Sequence, residues 1–170
     1  MKIYLLGMPG CGKSTIGKML ATSLRLTFID MDEEIEKETG KSVQEIFDSD
    51  GESNFRFLER QLLQMLAGQD SIVVATGGGV PIHNNNMELI NSTGISIYLK
   101  ASIGQLESRL QEDLIRPLLR KENLKDSLAQ LLTEREDIYS QSNYTIRVSE
   151  DPRTTVQGIV EILEIKPRGY

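Results

Sequence analysis

The chain has 170 residues, 39% hydrophobic and 26% charged, and its 25 acidic against 19 basic side chains leave a net charge of −6. This is the profile of a single globular domain over residues 1–170; it excludes a disordered or fibrous chain, and an acidic protein repels nucleic acid and anionic membranes as a whole. One cysteine, Cys11, allows no internal disulfide and fits a reducing cytoplasm, while the N-terminal apolar run is too short for a signal-peptide core and no later run spans a bilayer.

The first predicted element is a strand over residues 2–6, which runs straight into Gly7-Met8-Pro9-Gly10-Cys11-Gly12-Lys13-Ser14. Ile16, Met19, Leu20 and Leu24 follow at helical spacing, so the Gly-x-x-x-x-Gly-Lys-Ser pattern sits between strand and helix, as phosphate binding requires. The glycines let backbone N–H groups turn toward phosphate oxygens and the helix N-terminus adds partial positive charge. Lys13 then reaches the β- and γ-phosphates, and Ser14 is a magnesium ligand. The plain alternative is a glycine-rich turn. Cys11 reads as a small residue in the loop, although a thiol near a helix N-terminus can also be activated, with alkylation blocking activity and ATP protecting it.

A second strand over residues 27–29 leads into Asp30-Met31-Asp32. Asp30 is the acidic candidate for organising magnesium through water. Asp32 has two readings, a carboxylate near the γ-phosphate or a cap for the next helix with Glu33 and Glu34 in its first turn, and convergence with the glycine loop favours the first. Phe55, Leu58 and Leu62 mark another helix; Arg56 on it is either a site residue or the surface partner of Glu52, four residues earlier.

The third strand, residues 71–75, ends in Thr76-Gly77 where many P-loop ATPases place an Asp, and no Asn-Lys-x-Asp segment is present to read guanine, which argues against a GTPase switch. Gly77-Gly78-Gly79-Val80 is either a flexible loop or a surface that lets a substrate reach backbone N–H groups. His83, in what reads as a polar helix start, is assigned no role. A fourth strand covers residues 96–99. Residues 112–126 are crowded with charge and broken by Pro117, which suits a lid whose Arg116 swings onto the phosphates; a solvated loop charge is the alternative. Leu128, Leu131 and Leu132 then set a helical stripe in which Arg135 is a charge needing an anionic partner. A strand over residues 144–148 and a helix over 155–165, apolar at Val156, Ile159, Val160 and Leu163, complete the chain.

Strand followed by helix, repeated, predicts a parallel sheet covered by helices on both faces. The glycine loop, the Asp30/Asp32 pair and the triple glycine each follow a strand, so all three meet in the crevice beyond the strands' carboxyl ends.

Together these motifs resemble the shikimate kinases nearly end to end: GMPGCGKST, Asp30-x-Asp32, Asp50-Gly51-Glu52-x-x-Phe55-Arg56, Gly77-Gly78-Gly79-Val80, Arg116-Pro117-Leu118-Leu119 and Arg135-x-x-x-Tyr139. The resemblance implies a three-layer α/β/α fold with a five-stranded parallel sheet in the order 2-3-1-4-5, a lid and a substrate-binding subregion at about residues 31–60. It implies transfer of the γ-phosphoryl of ATP, with Mg²⁺, to the 3-hydroxyl of shikimate; charge, cysteine content and length add the expectation of a cytoplasmic monomer with no nucleic-acid or membrane partner. Lys13, Asp32 and Arg116 become the catalytic residues, with Asp32 as base. ATP contacts fall on Gly10, Cys11, Gly12, Lys13, Ser14, Thr15, Arg109, Arg116 and Arg153. Arg56 and Arg135 grip the substrate carboxylate beside Asp32, Gly77, Gly78 and Gly79, and Ser14 and Asp30 serve the metal. Rival readings are a gluconate or nucleoside monophosphate kinase, or a non-catalytic nucleotide-binding module.

Overall fold

The computed structural model describes residues 1–112 and 124–165. Its elements in chain order are β1 (Lys2–Leu6), α1 (Lys13–Leu24), β2 (Thr27–Asp30), α2 (Met31–Thr39), α3 (Val43–Ala67), β3 (Ile72–Ala75), α4 (Asn86–Thr93), β4 (Ile95–Lys100), α5 (Ile103–Glu112), α6 (Leu124–Tyr139), β5 (Tyr144–Arg147) and α7 (Pro152–Ile165). The strands form one sheet in the order β2-β3-β1-β4-β5, with every neighbouring pair parallel, as the resemblance implied.

The order follows from composition. β1 and β3 are buried along their whole length, and β1 lies at the centre, where a strand covered on both faces needs apolar side chains on both. The edge strands β2 and β5 are only partly buried. On one face α1 lays Ile16, Leu20 and Ala21 against the sheet, and it comes so close at Gly17 that a Cβ would sit 2.4 Å from the Phe28 ring. Because β1, β2 and β3 run the same way, the loop after β1, the acidic turn after β2 and the triple glycine after β3 emerge at one edge.

Three details go beyond the sequence reading: α5, which it did not pick out, α4, and a break in α3. α4 has too short a periodic stretch to stand out, and it is tied down by a buried Asn86, whose Nδ2 donates to the Val80 carbonyl at 2.8 Å. His83 therefore does not start a helix; it ends a short 3₁₀ turn, Val80–Ile82. α3 is also broken at Gly51, where φ is 82° and ψ 164°, a region open essentially to glycine alone. Among the described residues, no helix is long and apolar enough to cross a membrane.

Candidate active site

The loop between β1 and α1 owes its shape to Gly7, Gly10 and Gly12, whose φ angles of 143°, 78° and 98° disfavour any side chain. Lys13 begins α1 and turns back across the loop, its Nζ donating to the carbonyls of Gly7 at 2.9 Å and Met8 at 3.0 Å. The ammonium is thereby held over the mouth of the loop. Arg109 of α5 leans on the same segment, with Nη1 donating to the Cys11 carbonyl at 3.3 Å. Arg153, in contrast, is exposed in the first turn of α7, and no hydrogen bond joins its guanidinium to the loop among the described residues.

Ser14 faces the turn after β2: its hydroxyl donates to Asp30 Oδ2 at 2.5 Å. The other oxygen of Asp30 accepts the Asp32 N–H at 3.1 Å, so Asp30 caps α2. This corrects the capping alternative for Asp32, which lies inside the first turn of α2. A hydroxyl and a carboxylate side by side are hard oxygen donors of the kind Mg²⁺ takes, and no group of three His, Cys, Asp or Glu side chains able to hold a metal is found among the described residues. Such a pair fits a metal that draws its remaining ligands from phosphate and water.

The Cys11 thiol is fully buried, with Sγ 3.7 Å from Lys13 Nζ. Burial argues against a reactive, ATP-protected cysteine and accords with the small-residue reading. Arg116 and most of the expected lid, residues 113–123, lie outside the described residues.

The triple glycine is no slack loop. A Cβ on Gly77 would come within 2.8 Å of both Asp32 Oδ1 and Glu59 Oε1. On Gly78 it would stand 3.2 Å from Arg135 Nη1 and from Pro9 of the glycine loop after β1, and on Gly79 only 2.5 Å from Arg56 Nη1. Each glycine is therefore a point where a charged side chain rests on bare backbone. Asp32 from α2, Arg56 from α3 and Arg135 from α6 converge on this one strip, next to Pro9.

The fork of Arg56 is shared between two acids. Nη1 donates to Glu59 Oε2 at 2.7 Å, while Nε and Nη2 donate to Glu52 Oε1 at 3.2 and 3.0 Å. Burial works against the Arg56 charge, but Glu59 and Glu52 outweigh it and raise its pKa. The pairing with Glu52 does not take Arg56 out to the surface, because the same guanidinium lies against Gly79.

Glu59 is the residue the sequence reading missed. It is buried in α3 among Phe55, Leu62, Leu63 and Leu66. Burial pushes its carboxyl pKa up to about 7; Arg56 pulls the other way, the nearby Asp32 charge adds to the rise, and Arg135 opposes it. The signal was available, because Glu59 is a charge on an apolar stripe, the same pattern that singled out Arg135, and it sits three residues from Arg56.

Tyr139 explains the Arg135-x-x-x-Tyr139 spacing. It is fully buried, its hydroxyl donates to the Gly78 carbonyl at 2.6 Å, and it is hydrogen-bonded to Arg135 one helical turn back. Burial raises its pKa to about 12 against the opposing effect of Arg135, so the hydroxyl stays protonated and keeps donating. Helix α6 is thereby pinned to the glycine strip with Arg135 facing it.

The family model for shikimate kinase matches residues 9–164. A shikimate kinase of Synechococcus elongatus is 43% identical over 165 residues, covering 96% of this chain and 86% of the relative. The crystal structure of a shikimate kinase from Bacteroides thetaiotaomicron superposes with a TM-score of 0.92 at 37% identity, covering 97% of this chain and 99% of that one. A shikimate kinase from Acinetobacter baumannii, solved in complex with shikimate, gives a TM-score of 0.91 at 36% identity, with 96% and 92% covered. The gluconate, nucleotide and non-catalytic alternatives give way to these matches. The chain belongs to the shikimate kinase family, the enzymes that move the γ-phosphoryl group of ATP onto the 3-hydroxyl of shikimate.

Proposed function

We propose that the glycine strip is the bed of the acceptor site, with Asp32 at its phosphate end and Arg56 and Arg135 as the clamp for the shikimate carboxylate. The observation that carries this reading is the convergence of those three charged groups on Gly77, Gly78 and Gly79, with Pro9 of the phosphate loop against the same strip. Nucleotide and acceptor then lie side by side. A planar carboxylate suits guanidinium forks, and fixing it at one end of a rigid ring fixes where the hydroxyl at the other end points.

ATP is held by the backbone N–H groups of Gly10, Cys11, Gly12, Lys13, Ser14 and Thr15, with the Lys13 ammonium on the β- and γ-phosphates. Arg109, already against the loop, borders the nucleotide. Arg153 joins it at the adenine and Arg116 at the phosphates in the same reading. Ser14 and, through water, Asp30 would hold Mg²⁺, which would draw off phosphate charge when bound. Asp32 orients the 3-hydroxyl and takes its proton as that oxygen bonds to the γ-phosphorus and the bond to the ADP oxygen breaks. Lys13 and Arg116 balance the charge that moves to the leaving oxygen. The net charge of −6 and the buried, single Cys11 support a cytoplasmic enzyme acting as a monomer, without nucleic-acid or membrane partners.

Two measurements test this. ADP release with shikimate, gluconate and nucleoside monophosphates in parallel should appear with shikimate alone. Arg135→Lys should raise the KM for shikimate by about 10-fold or more while leaving the KM for ATP nearly unchanged, because an ammonium cannot reproduce the planar fork. Equal effects on both substrates would remove Arg135 from the clamp.

A further inference from the structure

Arg56 holds two carboxylates in very different ways. The Glu59 side chain is 2% exposed and locked between α3 and the glycine strip; that of Glu52 is 61% exposed and hangs at the rim. Glu52 nevertheless takes the Nε and Nη2 edge of the fork, one of the edges on which a carboxylate docks through paired hydrogen bonds. It also borders the open groove beside Arg56, whose lining includes Arg60 and His83. Gly51 breaks the helix immediately ahead of Glu52, so Glu52 heads a new helical segment, one turn from Arg56.

We propose that Glu52 is an internal stand-in for the substrate carboxylate, and that shikimate binds by exchanging its own carboxylate for Glu52 on the Arg56 fork. The inference rests on the reading of Arg56 as part of the carboxylate clamp. Occupancy of the fork carries it. Glu52 takes Nε and Nη2 and Glu59 takes Nη1, so no paired edge of Arg56 is open to a further carboxylate unless one acid leaves. Glu59 is buried and cannot reach water, whereas Glu52 can turn outward and regain its hydration. An exposed ion pair is weak enough to be exchanged in this way. An acceptor lacking a carboxylate would break the pair and return nothing to Arg56, so the exchange also favours acids over neutral polyols.

The test measures shikimate dissociation constants by calorimetry, and initial rates, for the parent enzyme, Glu52→Gln, Glu52→Ala, Arg56→Gln and the Glu52→Gln/Arg56→Gln pair. Both Glu52 variants should bind shikimate about two- to fivefold more tightly, the range of an exposed ion pair, with kcat and the KM for ATP unchanged. The gain should vanish in the Arg56→Gln background and shrink at high salt. Unchanged or weaker shikimate binding in the Glu52 variants would overturn the exchange, and weaker binding would make Glu52 a support that orients Arg56. If Arg56→Gln alone leaves shikimate binding intact, the clamp reading of Arg56 fails instead.

Discussion

The proposed nucleotide cradle and the proposed acceptor clamp share one edge of the sheet but are built by different means. The cradle is a contiguous run in which three glycines with positive φ and the start of α1 set the geometry, and Lys13 closes it with bonds to carbonyls only five and six residues away. The clamp is assembled from α2, α3, α6 and the loop after β3, with Asp32, Arg56, Glu59 and Arg135 meeting across as many as 103 positions between Asp32 and Arg135. The first depends on backbone conformation, and the second on buried and half-buried charges satisfying one another. Damage to the cradle should therefore remove chemistry, and damage to the clamp should chiefly remove acceptor affinity and change the response to pH.

The largest expected effect is on the cradle. Lys13→Ala removes the charge proposed to face the β- and γ-phosphates, and turnover should fall by about 10³-fold or more, the scale of losing a preorganised charge in a transition state. The protein should stay folded, since the substitution removes hydrogen bonds from Nζ to the Gly7 and Met8 carbonyls, worth about 1 kcal/mol each, and a weaker one to Cys11 Sγ. Circular dichroism beside a coupled ADP assay checks both halves, and unfolding would show that Lys13 is chiefly a structural tie.

A smaller and more selective loss is expected from Gly79→Ala. Its methyl group would lie 2.5 Å from Arg56 Nη1, so the guanidinium must shift. Shikimate binding should weaken by about 10-fold, with ATP binding nearly intact, because a displaced fork loses paired geometry rather than charge. Gly78→Ala, with its nearest neighbours at 3.2 Å, should be milder in acceptor titrations; the reverse ranking would move the clamp's centre toward Arg135.

The subtlest comparison concerns pH. The folded-state pKa of Glu59, pushed up to about 7 by burial from an ordinary 4.5, lies above its unfolded value. Its favourable contribution is therefore fully present below about 4.5 and is lost as pH rises through about 7, where the buried carboxyl must ionise. Glu59→Gln cannot ionise. The stability of the parent protein minus that of Glu59→Gln should fall across this window in thermal melts, and a flat difference would mean Arg56 keeps Glu59 ionised throughout.

The two regions also differ in how much the sequence disclosed. Gly7 to Ser14 could be read directly, because the pattern, the flanking strand and the helix are local and each residue's part follows from its neighbours. Arg135 was visible as a charge in an apolar stripe, but its bond to Tyr139, and that tyrosine's bond to the Gly78 carbonyl, depend on how α6 meets a loop 61 positions away in sequence. Glu59 carried the same stripe signal and was passed over beside the more evident pair of Glu52 and Arg56. The capping alternative for Asp32 could not be settled by spacing; the hydrogen bond from the Asp32 N–H to Asp30 gives the cap to Asp30.

By itself the sequence determined the alternation of strand and helix, the glycine loop between β1 and α1 and the charge of Arg135 within an apolar stripe, because propensity, glycine freedom and apolar periodicity act over a few residues at a time. Only the tertiary structure decided that Gly77, Gly78 and Gly79 are seats for Asp32 with Glu59, for Arg135 and for Arg56 respectively, and that Cys11 is sealed inside. Close approach, burial and charge pairing are properties of segments brought together from across the chain, and they exist only once the sheet has set those segments side by side.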